Sequence, residues 1–188
     1  MKRLILILSI IAFTTLLQAQ SDIIAQFKTD EKTEISLYFY PSTLRMMNLQ
    51  HNDEFNELVK DIKKMSFLKL NKNRFDYKQF YEGVSNLQQE EDLEEYVVID
   101  GKDQKLYLLG KDSPESTVAM AYFQNEYYAI DIAGSISLEK LPKLFEQLSQ
   151  NDAALKNDFS RIFEMVGAVN SFGNDHDRKG RIRDEIRD

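Results

Sequence analysis

The chain has 188 residues, with 24 Lys and Arg against 31 Asp and Glu, no cysteine, 43% hydrophobic residues and only 7 Gly and 3 Pro. Length and apolar content are those of a single globular domain, one able to bury roughly 70% of the surface its unfolded chain exposes. A collagen-like repeat, a disulfide scaffold and a wholly disordered chain are thereby excluded.

The first twenty residues follow the grammar of a secretory leader: Lys2 and Arg3, an apolar run from Leu4 to Phe13, then a more polar stretch ending at the small residue Ala19. About ten apolar residues are too few to cross a hydrocarbon core about 30 Å thick as a helix. The expected cut lies between Ala19 and Gln20, making residues 1–19 a signal peptide; the alternative is an uncleaved anchor reaching Leu17. No cysteine follows the run, which closes the lipid-attachment route. The expectation is an exported chain, periplasmic or secreted, with no stable membrane anchor after cleavage. Removal of residues 1–19 takes away Lys2 and Arg3 and no acid, leaving 22 basic against 31 acidic residues and a net charge of −9. Nucleic acid is excluded as a partner on that balance, because phosphate binding needs a clustered basic face.

In chain order, Ile35, Leu37 and Phe39 alternate with Ser36, Tyr38 and Tyr40, which predicts a strand over Thr33–Tyr40 ended by Pro41. Ser42–Leu49 reads as a short helix. Phe55, Leu58, Val59, Ile62 and Met65 form one helical stripe, predicting a helix over Asp53–Met65 with acids early and Lys60, Lys63 and Lys64 late. A short strand over Ser66–Leu70 follows, then a helix over Asp76–Gln89 carrying Tyr77, Phe80, Tyr81, Val84 and Leu87. Four β-rich runs come next, Glu94–Asp100, Lys105–Leu109, Thr117–Gln124 and Glu126–Ala133, at spacings that suit an antiparallel meander. Ser137–Leu148 returns to helix, kinked or shortened by Pro142, and a last helix is expected over Ala153–Val166. The prediction is an α+β fold, two-layered, a largely antiparallel sheet with helices packed on one face. One domain spans 20–170. The segment 171–188 is a charged tail that is expected to be mobile.

Three patterns carry a family resemblance: Ala25-Gln26-Phe27-Lys28 before the first strand, Leu37-Tyr38-Phe39 followed by Leu44-Arg45-Met46-Met47, and Ile130-Asp131-Ile132-Ala133-Gly134-Ser135-Ile136-Ser137-Leu138. With these, the stretch Asp22–Leu148 resembles the family catalogued as domain of unknown function 4252, small exported proteins and lipoproteins of Bacteroidetes bacteria. The resemblance implies no activity and no residue roles. Members of that family often carry a lipobox cysteine, which this chain lacks.

Signatures of catalysis are sparse. The two histidines are His51, before a helix start, and His176, in the tail between Asp175 and Asp177. No phosphate-binding glycine loop, dinucleotide fingerprint or Gly-Xaa-Ser-Xaa-Gly elbow is present. Glu90-Glu91-Asp92 and Glu94-Glu95 form the densest acidic run, but without the glycine and alternating Asp/Asn of a calcium loop. Asp131 stands alone inside an apolar stretch, where desolvation disfavours its charged form. No cofactor, no metal and no enzymatic activity are expected.

The tyrosines are more suggestive. Alternation puts Ile35, Leu37, Phe39, Val97, Ile99, Leu106, Leu108, Val118, Met120, Ile130 and Ile132 on one face, leaving Tyr38, Tyr40, Tyr96, Tyr107 and Tyr127 on the other beside Ala119, Ala121 and Ala129. Tyrosine offers apolar area with a polar tip and is enriched in interface cores. The expected function is a non-catalytic binding or interaction module, docking a protein partner or a second copy through this tyrosine face. The alternatives are a carboxylate-dependent exported hydrolase using Glu90, Asp92 or Asp131, and a structural envelope component. The bland reading of the tyrosines is that a helix or loops cover them.

Overall fold

The computed structural model describes residues 21–29, 31–48, 51–112 and 115–151, and singly 157, 158, 160 and 162. Helix α1 (Asp22–Phe27) is capped by Ser21, whose Oγ accepts from the Ile24 amide at 3.0 Å. Strand β1 (Thr33–Phe39) is followed by α2 (Pro41–Met46), opened by a proline whose missing N–H costs nothing in the first turn. Helix α3 (Asp53–Val59) is capped by Asn52, and strand β2 covers Ile62–Leu70. Helix α4 (Tyr77–Gln89) starts with a reciprocal cap: Asp76 accepts from the Gln79 amide while the Gln79 side chain accepts from the Asp76 amide. Strands β3 (Glu94–Asp100), β4 (Gln104–Asp112), β5 (Glu115–Phe123) and β6 (Glu126–Gly134) follow, then a 3-10 turn (Leu138–Lys140) and helix α5 (Leu141–Asn151).

The six strands form one antiparallel sheet in the order β1-β2-β6-β5-β4-β3. Strands β3 to β6 are the expected meander, and β6 returns against β2, so the edges are β1 and β3. Gln124 and Asn125, at φ 50° and 64°, make the tight turn whose twist suits a two-residue hairpin. Gly134, at φ 107°, ends β6 where a Cβ would sit 2.2 Å from the Asp61 carbonyl oxygen. Only glycine lets these two backbone segments approach so closely there.

The α+β class and the antiparallel sheet are as expected, but the helices lie on both faces. On one face Leu44 of α2, Phe55, Leu58 and Val59 of α3, and Leu141, Leu144, Phe145 and Leu148 of α5 pack on Met65, Phe67, Leu106, Leu108, Ile130 and Ile132. On the other, Ile23, Ile24 and Phe27 of α1 and Phe80, Val84 and Leu87 of α4 pack on Leu68, Leu70, Leu109, Val118, Met120 and Ala129. Val118 and Met120 thus lie opposite Leu106 and Leu108, against expectation, while Ala119 and Ala121 join the Leu106 side. The central strands are apolar on both faces, so alternation alone does not say which side is which.

A second correction concerns Asp53–Met65. Helix α3 stops at Val59 and β2 starts at Ile62. The register slips between Ile62 and Lys64, and this bulge brings Ile62 and Met65 into the same core although they are three residues apart. A bulged strand therefore reproduces helical spacing. Of the two effects expected of Pro142 the structure shows the shortening: α5 begins at Leu141 rather than Ser137, and the preceding turn is 3-10. Of the expected last helix only Asn157, Asp158, Ser160 and Ile162 are described, all helical; the leader and the charged tail lie outside the described residues.

Candidate functional site

Helix α4 lays an aromatic stripe on the sheet. Phe80 meets Tyr107 and Tyr127 at ring-centre distances of 5.9 Å each, Tyr81 meets Tyr107 at 6.0 Å, and Tyr77 meets Tyr81 at 4.7 Å and Tyr122 at 6.1 Å. Phe75 and Tyr122 close on Tyr127 at 5.4 and 4.9 Å. Edge and tilted contacts dominate, as the ring quadrupoles favour. Gly83 brings α1 onto this layer: a Cβ there would stand 2.6 Å from the Phe27 ring.

At the outer end of the cluster a lysine is held among tyrosines. Lys105 of β4 pairs across the strands with Asp100 of β3, and Tyr107 is the next residue on the same face. The Lys105 ammonium donates to the Asp100 carboxylate and, at 3.0 Å, to the Gly101 carbonyl, and it lies over the Tyr77 and Tyr81 rings at 5.4 and 5.7 Å. Tyr81 and Tyr107 add hydroxyl contacts to Asp100 at 3.4 and 3.3 Å, and the Tyr77 and Tyr81 hydroxyls are 2.9 Å apart. Through these contacts the bond from Lys105 holds the Asp100 carboxyl below its ordinary value, the bond to Asp100 and the facing Tyr77 push the Lys105 ammonium above its own, and burial pushes the Tyr107 hydroxyl up. The lysine is buried as a residue while the Asp100 side chain is 48% exposed. Two apolar groups stand out beside this frame, Tyr77 at 43% exposure and Val98, across the ladder from Tyr107, at 42%.

The five expected tyrosines do not form one open face. Tyr107 and Tyr127 are buried under α4, an element predicted from its spacing but expected on the other side of the sheet. Tyr38 and Tyr40 sit at the β1 edge, with Lys28 4.2 Å from the Tyr38 ring and Lys64 5.3 and 5.6 Å from the two rings. Tyr96 leaves the group altogether, because the register slip between Glu95 and Val97 turns its ring onto Gly110, where a Cβ would meet it at 2.3 Å. Sequence reasoning missed Tyr77, Tyr81, Asp100 and Lys105 as a unit. The available signal was the Tyr77-Phe80-Tyr81 stripe together with Lys105, a cation in register with the apolar positions of β4.

The expected carboxylates are also apart: Glu90 and Asp92 are exposed, whereas Asp131 is 1% exposed in the interior. His51 is exposed at φ 51° before α3, and His176 lies outside the described residues. Among the described residues no three His, Asp or Glu side chains gather in a metal-holding group. Lys69 of β2 occupies the space between Glu126, Asp158 and Glu34 at 3.5, 3.8 and 3.9 Å, with the Tyr128 hydroxyl donating to Asp158 at 2.9 Å. A cavity of about 420 Å³ opens beside α3 and α5, lined by Asp53, Glu54, Glu57, Leu58, Lys140 and Lys143, of which Lys143 and Glu54 form an exposed ion pair.

The molecule is an α+β protein whose antiparallel sheet carries a buried aromatic layer ending in an ionic rim. The family model described as Domain of unknown function (DUF4252) matches residues 27–144, a span that takes in all six strands and the whole rim, and the chain belongs to that family. No curated protein and no solved structure matches it.

Proposed function

We propose that the chain is an exported, non-catalytic binding module that docks a protein partner through Tyr77, Tyr81 and Val98, with Asp100 and Lys105 fixing the shape of that rim. The observation that carries this reading is the pairing of exposed apolar groups, Tyr77 and Val98, with a frame of ring contacts and charge-assisted hydrogen bonds that holds them in place. Pre-organised aromatic groups cost little entropy on binding and serve as anchors in a partner's pockets. A catalytic use of Lys105 is disfavoured, because its raised value keeps it protonated and so without a lone pair to act as a base. Export is supported by Lys2, Arg3, the apolar run Leu4–Phe13 and Ala19.

The experiment places a photo-crosslinking amino acid at position 77, 98 or 78 in the native cell. Lys78 is the control, since its side chain is 82% exposed outside the rim. A discrete protein adduct from 77 and 98 but not from 78 is the expected result; the same adduct pattern from all three positions removes the rim as a docking surface. An adduct of the chain with itself identifies a second copy as the partner. Fractionation and N-terminal sequencing of the natural protein test export, which a chain retaining Lys2 and Arg3 would contradict.

A further inference from the structure

We propose that the buried carboxylate of Asp131, with Glu91 beside it, is the receptor for the N-terminus created when the leader is removed, so that processing completes the fold. The existence of the cut rests on the export reading; the receptor rests on geometry. Asp131 lies in β6 on the aromatic face, 1% exposed, opposite Ser66 of β2 and Val118 of β5. A carboxylate in such a place is tolerated only when its charge is matched or its oxygens accept hydrogen bonds. Its Oδ2 accepts the Ser21 amide at 3.1 Å, a contact that spans 110 residues of sequence, and Ser21 is itself 3% exposed. From the other side, Glu91 Oε1 accepts from the Ser21 hydroxyl and from the Ile23 amide, both at 2.8 Å. Carboxylates from β6 and from the turn after α4 therefore grip the chain where it enters the domain.

The expected cut between Ala19 and Gln20 leaves only the Cα and carbonyl carbon of Gln20 between the new amine and the Ser21 nitrogen. Before the cut, that atom of Gln20 is a neutral amide nitrogen. Afterwards it is an ammonium with three donors, delivered beside two carboxylates, one of them buried; charge-assisted bonds of this kind are the strong ones. A chemical consequence follows for an N-terminal glutamine. Its neutral amine can attack its own side-chain amide carbon, forming a C–N bond and releasing ammonia as the ring closes. An amine held as ammonium by Asp131 has no lone pair to attack with, so the folded chain resists cyclisation.

The test uses the mature protein from the cell, as wild type and as Asp131→Asn and Glu91→Gln variants. N-terminal sequencing reads the cut; a start other than Gln20 overturns its placement and leaves the receptor to be tested on chain released at Gln20 by a specific protease. Intact mass then follows ammonia loss at neutral pH. Wild type is expected to cyclise at least about tenfold more slowly than the peptide Gln-Ser-Asp-Ile, and Glu91→Gln and Asp131→Asn to recover much of the peptide rate. Wild-type chain cyclised while unfolded and then refolded should also melt below its uncyclised form, a comparison needing no substitution. Wild-type cyclisation at the peptide rate, together with equal melting of the cyclised and free forms, overturns the receptor.

Discussion

The two faces of the sheet are made by the same six strands and solve different problems. Under α2, α3 and α5 the layer is chiefly aliphatic and phenylalanine, its ion cluster around Lys69 confined to one margin. Under α1 and α4 it is rich in tyrosine, and it carries Lys105 and Asp131 as buried ionisable groups. Aliphatic packing is nondirectional and contributes stability in proportion to area. Tyrosine hydroxyls and charges must each find partners, so the second face fixes positions, and at its outer rim Tyr77 and Val98 reach solvent. One face secures the fold and the other shapes a surface.

The comparison breaks most visibly on the aliphatic side. Phe67, fully buried, should cost about 3–5 kcal/mol when replaced by Ala, read from urea unfolding; a loss under about 1 kcal/mol would mean that face is not the structural one. On the aromatic side Gly83→Ala gives a smaller effect of unusual sign. Alanine in a helix normally gains up to about 1 kcal/mol over glycine. Here the new Cβ meets Phe27, whose ring is pinned edge-on against Phe75 at 5.0 Å, and overpacking of about 1–3 kcal/mol outweighs that gain. A stabilised G83A protein would show α1 and α4 to be loosely joined.

The rim sharpens the comparison through pH. Asp100 is held below its ordinary value, so its contribution is complete above about pH 4 and is lost as pH falls through the lower folded value. Lys105 is held above its own, so its contribution is complete below about pH 10.4 and is lost as pH rises further. The gap in melting temperature between wild type and Asp100→Asn should therefore be level from about pH 5 to 9 and close at both extremes. A gap that widens below pH 4 would refute the pairing. Tyr77→Ser, which removes ring contacts with Tyr81 and Tyr122, should cost about 1 kcal/mol. The smallest stability effect belongs to Val98→Ser, which should shift unfolding by about 0.5 kcal/mol or less while abolishing the adduct formed from position 77.

Much of this architecture is legible in the residues. The meander declares itself by four β-rich runs at short turn spacings, Gln124-Asn125 among the turns, and α4 by Tyr77, Phe80, Tyr81, Val84 and Leu87 at helical spacing. What is hidden is sidedness. Val118 and Met120 look the same from the sequence whichever face they occupy, because β4 and β5 are buried on both. Bulges hide the rest: one turns Tyr96 away from the other tyrosines, and another makes Ile62 and Met65 mimic a helix. The candidate site was half visible. Tyr107 was singled out, but its role as the floor beneath Tyr81 depends on α4 crossing that face, which no local pattern encodes.

Nitration of the folded protein, mapped tyrosine by tyrosine, tests the central claim most directly, that the aromatic face is a covered layer with an exposed rim. Tyr77, Tyr40 and Tyr96, at 43, 50 and 37% exposure, should react, while Tyr107, Tyr127 and Tyr128, at 7, 6 and 0%, should be protected until the protein unfolds. Reaction of Tyr107 and Tyr127 in the folded state at the rate of Tyr40 would mean that α4 does not cover them, and that the open tyrosine face exists after all.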